Sequence, residues 1–319
     1  MSVPGLAVCL SVLAGARAAQ TSSVAALLQR ATREPAFAAR GLEEALVALG
    51  SGATGDIERA LTVGSDGDDE PEAGDAEAPA LARALGRLRK DAALPALARL
   101  RTSDSPDRRR AAAAGLGVVD TASGVKALVD LLDDPAPEVA ETAIDGLVAL
   151  DRSAPKLRVR GEVVHTFERG RGAVARVRAA ECLVRGEESP PSSSPAASRP
   201  ASSTVELLES ALRDGEPDVR GAAAEGLRRL GVASEAARAE LVEMLRQDRE
   251  VEVRKQAALS VGQLRERAAC PALIELLASP DPGLRGNALW ALRAIAGRDF
   301  PATPERWAEW WKREMRAKE

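Results

Sequence analysis

One pattern of apolar and polar positions recurs along the chain. Glu206–Gly231 reads ELLESALRDGEPDVRGAAAEGLRRLG, Glu240–Leu264 reads ELVEMLRQDREVEVRKQAALSVGQL, and Pro271–Gly297 reads PALIELLASPDPGLRGNALWALRAIAG. Each stretch opens with leucines spaced i, i+3, i+4 and passes through a short turn holding Asp, Pro or Gly. It then runs through Val-Arg or Leu-Arg into an Ala-rich segment, often closed by Gly. Apolar residues at that spacing form one face of a helix, and the Pro, Gly and Asp punctuation marks its ends. Each stretch therefore predicts two antiparallel helices. The same pattern covers Lys126–Leu150 and Leu94–Val118. Gly172–Arg185 reads as a second helix of the same kind, and Leu81–Leu88 and Ala38–Leu49 as degenerate second helices.

Anchoring the start of each second helix gives Ala38, Ala80, Arg109, Val139, Val177, Val219, Val253 and Leu284, at steps of 42, 29, 30, 38, 42, 34 and 31 residues. Periods near 30–34 residues with occasional insertions mark stacked helix pairs. One pair cannot cover its own apolar face, so neighbours cover each other and the core runs along the stack. Two of the long steps contain low-complexity tracts, GSDGDDEPEAGDAEAP at 64–79 and EESPPSSSPAASRPASS at 187–203. Both predict flexible loops between pairs.

Composition fits this picture. Of 319 residues, 45% are hydrophobic but only 2% aromatic, and 64 are alanine. That is too apolar for a disordered chain. It is also too poor in aromatic residues for a β-sandwich, a base-stacking surface or an aromatic-lined pocket. The net charge of -4 rests on the acids at 66–77, and the remaining body is nearly balanced. A nucleic-acid surface would need a basic stripe, so no nucleic-acid partner is expected. Cys9, Cys182 and Cys270 have no metal-ligand spacing. Cys182 and Cys270 read as small buried hydrophobes, with a disulfide between them the alternative if the protein is exported.

The first residues, MSVPGLAVCLSVLAGARAAQ, hold an apolar run and an A-x-A site at Ala16-Arg17-Ala18. Residues 1–18 therefore predict a secretory signal peptide, without the usual basic start; a first solenoid helix is the competing reading. The run is too short to span a membrane, and no other segment is long and apolar enough.

The repeat units resemble HEAT repeats, in particular the short bacterial form D-P-x-V-R-x-x-A-A-x-A-L-G. The residues that carry the resemblance are Pro217-Asp218-Val219-Arg220 with Ala223, Ala224, Gly226 and Leu227, and Val253-Arg254 with Ala257, Ala258 and Gly262. Asp281-Pro282-Gly283-Leu284-Arg285 with Ala288, Ala291 and Leu292 adds a third set. The resemblance spans about residues 80–297. It implies an all-α, right-handed α-solenoid of stacked antiparallel helix pairs, a HEAT-like superhelix, with second helices lining the concave face. The family carries protein-binding scaffolds and, less often, enzymes such as phycobilin lyases and DNA glycosylases. Nothing beyond the repeat matches those enzymes.

The expected organisation is a signal peptide at 1–18, a degenerate helix pair at 19–63 and the acidic loop at 64–79. HEAT-like repeats follow at 80–186, the Pro/Ser-rich loop at 187–203, further repeats at 204–298 and a Trp-rich capping helix at 299–319. In the last segment Thr303 reads as an N-cap and Pro304 as the first helical residue. Trp307, Trp310 and Trp311 fall on one helix face, expected to fold back on the last repeat with Trp290 as a candidate contact; an exposed aromatic patch that binds a partner is the alternative. Similar tails follow HEAT arrays in other bacterial proteins.

Arg178, Arg220, Arg254 and Arg285 share a repeat position, with Ala140 as the exception. Recurrence in register suits a structural ladder better than an anion-binding stripe. Arg228 and Arg229 lie on a second helix and read as a solvated face, with partner binding the alternative. Glu162 and His165 share a helix face, but a di-iron site needs a second such motif and there is no second His. The acids at 66–77 lack a calcium-loop spacing. No catalytic, cofactor-binding or metal residue is assigned, and no cofactor is expected. The expectation is a non-catalytic scaffold for a protein partner in the bacterial cell envelope, periplasmic or extracellular, or cytoplasmic if 1–18 is no signal. The alternative is an enzyme or small-ligand binder using the concave groove.

Overall fold

The structure is a computed structural model. It describes residues 24–62, 74–170, 172–188 and 201–316, so the 1–18 segment and most of the acidic tract lie outside the described residues. All regular elements among them are helical. The chain forms two compact units, divided between Thr166 and Phe167.

Unit 1 holds α1 (24–33), α2 (Pro35–Arg40), α3 (Leu42–Ala48), α4 (Thr54–Thr62), α5 (Ala78–Arg89), α6 (Leu94–Arg101), α7 (Pro106–Leu116), α8 (Ala122–Asp130) and α9 (Pro137–Ser153). The helix α10 (Val159–Arg169) contains the division. The second helices α3, α5, α7 and α9 pack in succession, and α4, α6 and α8 lie behind their partners. The helix expected over Ala38–Leu49 is in fact two, because the chain breaks at Gly41. The loop expected at 64–79 ends early, since α5 begins at Ala78 with Pro79 in its first turn. There a proline lacks only an N–H that would go unpaired anyway.

The second helices of unit 1 approach through their backbones. A Cβ placed on Gly86 would lie 2.6 Å from the Gly115 carbonyl oxygen, and one on Gly115 would lie 2.8 Å from that of Ala82. A Cβ on Gly117 would lie 3.0 Å from the Gly146 Cα. Ala111, Ala112 and Ala113 are fully buried between neighbouring helices. Small side chains let the layer close, while Leu81, Leu85, Leu97, Leu116, Leu128 and Leu132 fill the space between layers. Each such leucine contributes about 1.5–3 kcal/mol by leaving water.

Unit 2 continues with α11 (Ala173–Glu188), α12 (Ser202–Ala211), α13 (Pro217–Leu230), α14 (Glu235–Gln247), α15 (Val251–Gln263), α16 (Cys270–Leu276), α17 (Pro282–Ala296) and α18 (Pro304–Arg316). Here α11, α13, α15 and α17 form the second-helix layer, α12, α14 and α16 back it, and α18 lies against α16. Helix ends follow local chemistry. Proline starts α7, α9, α13 and α17. Ser234 and Asp281 accept the Ala237 and Leu284 amides at 3.2 and 2.6 Å. Gly231 and Gly297 close α13 and α17 at φ 68° and 64°, where other residues would be strained.

The Pro/Ser-rich stretch expected as a loop over 187–203 is shorter than that. Glu187 and Glu188 complete α11, and Ser202 and Ser203 start α12. Glu187 accepts from the Ala201 amide at 2.9 Å and from the buried Thr204 hydroxyl at 2.7 Å, which joins the two helices side to side.

Candidate protein-binding face

The arginine ladder is structural, and its register differs from the expected one. Arg220, fourth residue of α13, donates to both oxygens of Asp248 at 2.8 and 2.9 Å. It also donates to the Asp214 and Gly215 carbonyls in its own turn at 2.8 and 3.2 Å. Arg109, fourth residue of α7, repeats this on Asp134 (2.7 and 3.1 Å) and on the Ser103 and Asp104 carbonyls (2.9 and 3.0 Å). In α11 the fourth residue is Arg176, not Arg178. Arg176 grips both oxygens of Asp214 and the Phe167 carbonyl. Each rung thus joins one repeat to the inter-helix turn of the next. The acceptor carboxylate also takes the amide two residues on, Ala136, Glu216 or Glu250.

Arg254 and Arg285 lack this carboxylate. They donate to the Leu245 carbonyl, and to those of Ser279 and Pro280. Ser279 stands at the acceptor position, where its hydroxyl takes the Asp281 amide at 3.3 Å. The hydrogen bonds from Arg176 hold the Asp214 carboxyl below its ordinary range. Burial pushes Asp248 upward, but Arg220 and the Glu250 amide outweigh it and leave the carboxyl lowered.

Other singled-out residues also resolve into structure. Arg229 is not a solvated face: it clips α13 to α11 by gripping Glu181 and both oxygens of Glu188. That grip holds the Glu188 carboxyl below its usual range. Arg228 leans on Glu225 at 3.5 Å. His165 and Glu162 are exposed on α10, and no group of three potential metal-ligating side chains occurs among the described residues. Cys182 and Cys270 are both buried, and no disulfide joins them. Burial pushes the Cys270 thiol up to about 12, keeping it protonated and unreactive.

The tail folds back on α16 and not against Trp290. Trp307 is fully buried and donates its indole N–H to the Pro301 carbonyl at 3.0 Å. It meets Phe300 and Trp310 edge-on at 5.1 and 5.7 Å between ring centres. Arg267, just before α16, pairs with Glu314 at 2.8 Å and lies over the Trp311 ring. At the start of α18 it is the Thr303 carbonyl that accepts from the Arg306 and Trp307 amides. Trp290 instead lies over Gly262 of α15, where an added Cβ would come within 2.7 Å of its ring. It remains 42% exposed.

What is left over lies mostly on the second helices of unit 2. Among the described residues, the large apolar side chains that stay exposed are Val174, Val251, Trp290 and Met315, all in unit 2, and the first three stand on second helices. An open trough of about 340 Å³ crosses α11, α13 and α15. Val174, Val177, Gly221 and Ala222 give it an apolar floor and wall. Arg178, absent from the ladder, lines it together with Gln256 and the carboxylates Asp218, Glu225 and Glu252. The sequence reading missed this face because it is made by residues from three repeats, none unusual in its own segment.

Residues 95–160 and 238–304 match the family model for HEAT repeats. Those two stretches are similar to HEAT repeats. Both matched stretches contain the turn-to-turn arginine rungs or their carbonyl-bonded equivalents. No curated protein is a significant match to the sequence. Solved structures similar to the chain include human deoxyhypusine hydroxylase in complex with glycerol, at 21% identity over 90% of this chain and 98% of that one, with a TM-score of 0.34. The Escherichia coli protein YibA is 18% identical over 86% and 96%, with a TM-score of 0.44. A mutant of Kap121p is 18% identical over 80% of this chain and 29% of its own, also at 0.44.

The trough is open to solvent rather than enclosed, whereas ligand pockets bury most of their occupant. No helix among the described residues is long and apolar enough to cross a membrane.

Proposed function

We propose that this protein is a non-catalytic HEAT-repeat scaffold that binds another protein on the second-helix face of unit 2. The observation that carries this reading is that the second-helix layer of unit 2 leaves three apolar residues exposed, Val174 on α11, Val251 on α15 and Trp290 on α17. Tryptophan is among the residues enriched at the anchors of protein interfaces, and Trp290 is 42% exposed on this layer. A stable interface buries about 800 Å² per partner, which four neighbouring helices can supply.

The test compares the tagged chain with a Val174→Glu, Trp290→Glu double variant in affinity purification. Trp290 also covers Gly262, so the variant is expected to melt lower, and recovery is compared at a temperature where circular dichroism shows both proteins folded. A protein recovered in stoichiometric amount with the parent and lost with the folded variant supports the reading. Equal recovery from both, or no stoichiometric protein from either, overturns it.

We further propose that the scaffold works outside the cytoplasm, in the bacterial envelope. The apolar run before Ala16-Arg17-Ala18 supports this. Mature protein beginning at Ala19 is the expected result of N-terminal sequencing; an intact residue 1–18 segment in the purified protein counts against it.

A further inference from the structure

The ladder of unit 2 alternates in charge and then stops. Arg176 grips Asp214, Arg220 grips Asp248, and Arg254 comes next in the series. Each of these aspartates also lies in the field of the arginine from its own turn, Arg220 at Asp214 and Arg254 at Asp248. Two carboxylates thus stand among three guanidinium groups, and the place for a third carboxylate is held by Ser279.

Ser279 lies 25 residues after Arg254, the spacing of Asp134 after Arg109. Its hydroxyl accepts the Asp281 amide at 3.3 Å, just as Asp214 and Asp248 accept the Glu216 and Glu250 amides, each at 3.0 Å. Two guanidinium groups attend this position. Arg254 gives its Nε to the Leu245 carbonyl, nine residues back, and Arg176 gives its own to Phe167 at the same distance along the chain. In Arg176 that grip leaves both terminal nitrogens for the carboxylate of the next turn. Arg285 donates to the Ser279 and Pro280 carbonyls at 2.7 and 3.0 Å, as Arg220 does to Asp214 and Gly215. Neither Arg254 nor Arg285 makes an ion pair among the described residues.

We propose that Arg254, Arg285 and the Ser279 hydroxyl form a seat for a small oxyanion of the phosphate class, which completes the rung from outside the chain. Serine ends at its Oγ where aspartate carries a carboxyl group, so the ion takes the place of the missing carboxylate. Guanidinium groups hold such oxyanions through paired, charge-assisted N–H bonds, and the serine proton adds another donor. The nearest acid in the same turn is Asp281, which caps α17 by accepting the Leu284 amide at 2.6 Å and pairs with Lys255 at 3.4 Å. It does not exclude the ion, because Glu216 and Glu250 stand at the same offset beside the filled rungs of Asp214 and Asp248.

The experiment titrates inorganic phosphate into the full chain by calorimetry at constant ionic strength, with thermal melts alongside. The parent should bind one phosphate per chain. Arg254→Gln should weaken that binding by about tenfold or more. Ser279→Asp restores the ladder's own carboxylate. It should abolish phosphate binding and raise the melting temperature in phosphate-free buffer by about 2 °C. Circular dichroism shows both variants folded.

Absence of phosphate binding by the parent overturns the seat. Equal binding by the parent and Ser279→Asp also overturns it and makes the ion adventitious. Where the seat is occupied, its source is read from partner recovery. Recovery that falls in phosphate buffer and with Ser279→Asp assigns the oxyanion to an acidic or phosphorylated group of the partner, and unchanged recovery assigns it to the free ion. Loss of the seat leaves the scaffold reading untouched, since that reading is tested at Val174 and Trp290.

Discussion

The two units are built from the same repeat, yet their second-helix layers are finished differently. In unit 1, glycines at 86, 115, 117 and 146 let α5, α7 and α9 close backbone to backbone, and no large apolar side chain is exposed among the described residues. In unit 2, the glycine at 221 faces open space, and Val174 and Trp290 are left on the same layer. A glycine in a second helix therefore has two opposite meanings here. In one unit it is a contact that a methyl group would break. In the other it is the floor of a surface that something else can occupy. The lesson is that small residues alone do not mark an interface; what lies above the missing Cβ does.

The largest expected effect tests how unit 2 ends. Trp307→Ala should cost about 3–5 kcal/mol in chemical denaturation, because a fully buried aromatic side chain leaves a cavity that Phe300 and Trp310 cannot fill. Unchanged stability would mean that α18 is not a cap.

Next come the rungs that both units share. Asp248→Ala should cost about 1.5–3 kcal/mol by stranding the Arg220 guanidinium. Breaking the more exposed Arg101–Asp130 pair should cost no more than about 1 kcal/mol. Acid should act through the same rungs. Asp214 and Asp248 have folded pKa values below their unfolded ones. Their contribution is full above the unfolded value near ~4 and is lost as pH falls from there through the folded values. A denaturation series across that range should fall less steeply in the Asp214→Asn, Asp248→Asn variant.

The smallest effects bear most directly on the contrast between layers, because their signs differ. Gly115→Ala should destabilise by about 1–3 kcal/mol, since the new methyl meets the Ala82 carbonyl and the Leu97 side chain. Gly221→Ala should stabilise by about 0.5–1 kcal/mol, the ordinary gain of Ala over Gly inside a helix. Equal shifts of the same sign in thermal melts would erase the distinction between the two layers.

Much of this fold was legible because Pro, Gly and leucine spacing repeat along the chain. The register failed where that punctuation is missing. α11 has no proline at its start, and its sequence Ala-Val-Ala-Arg-Val-Arg offers two arginines, so matching the Val-Arg pair selects Arg178 while helix geometry selects Arg176. The cap was legible as a stripe of tryptophans, but its partner was not. Pairing it with Trp290 followed likeness of side chains, whereas contact depends on which layer each helix joins. The trough was illegible for a further reason. Its acids and small residues are ordinary on each helix and become a surface only when three helices are laid side by side.

The ladder also says where this protein can be cut and rejoined. Because Arg109, Arg176 and Arg220 each take their carboxylate from the following turn, the portable module is not a helix pair. It runs from one arginine to the next repeat's aspartate, and a splice within that interval orphans a guanidinium. Between Arg254 and Ser279 no such debt exists, since Arg254 takes no carboxylate from that turn and Ser279 serves only its own. A foreign repeat inserted there orphans no ladder arginine, although it must re-form the Lys255–Asp281 pair and the Asn287 bond to the Lys255 carbonyl that join α15 to α17.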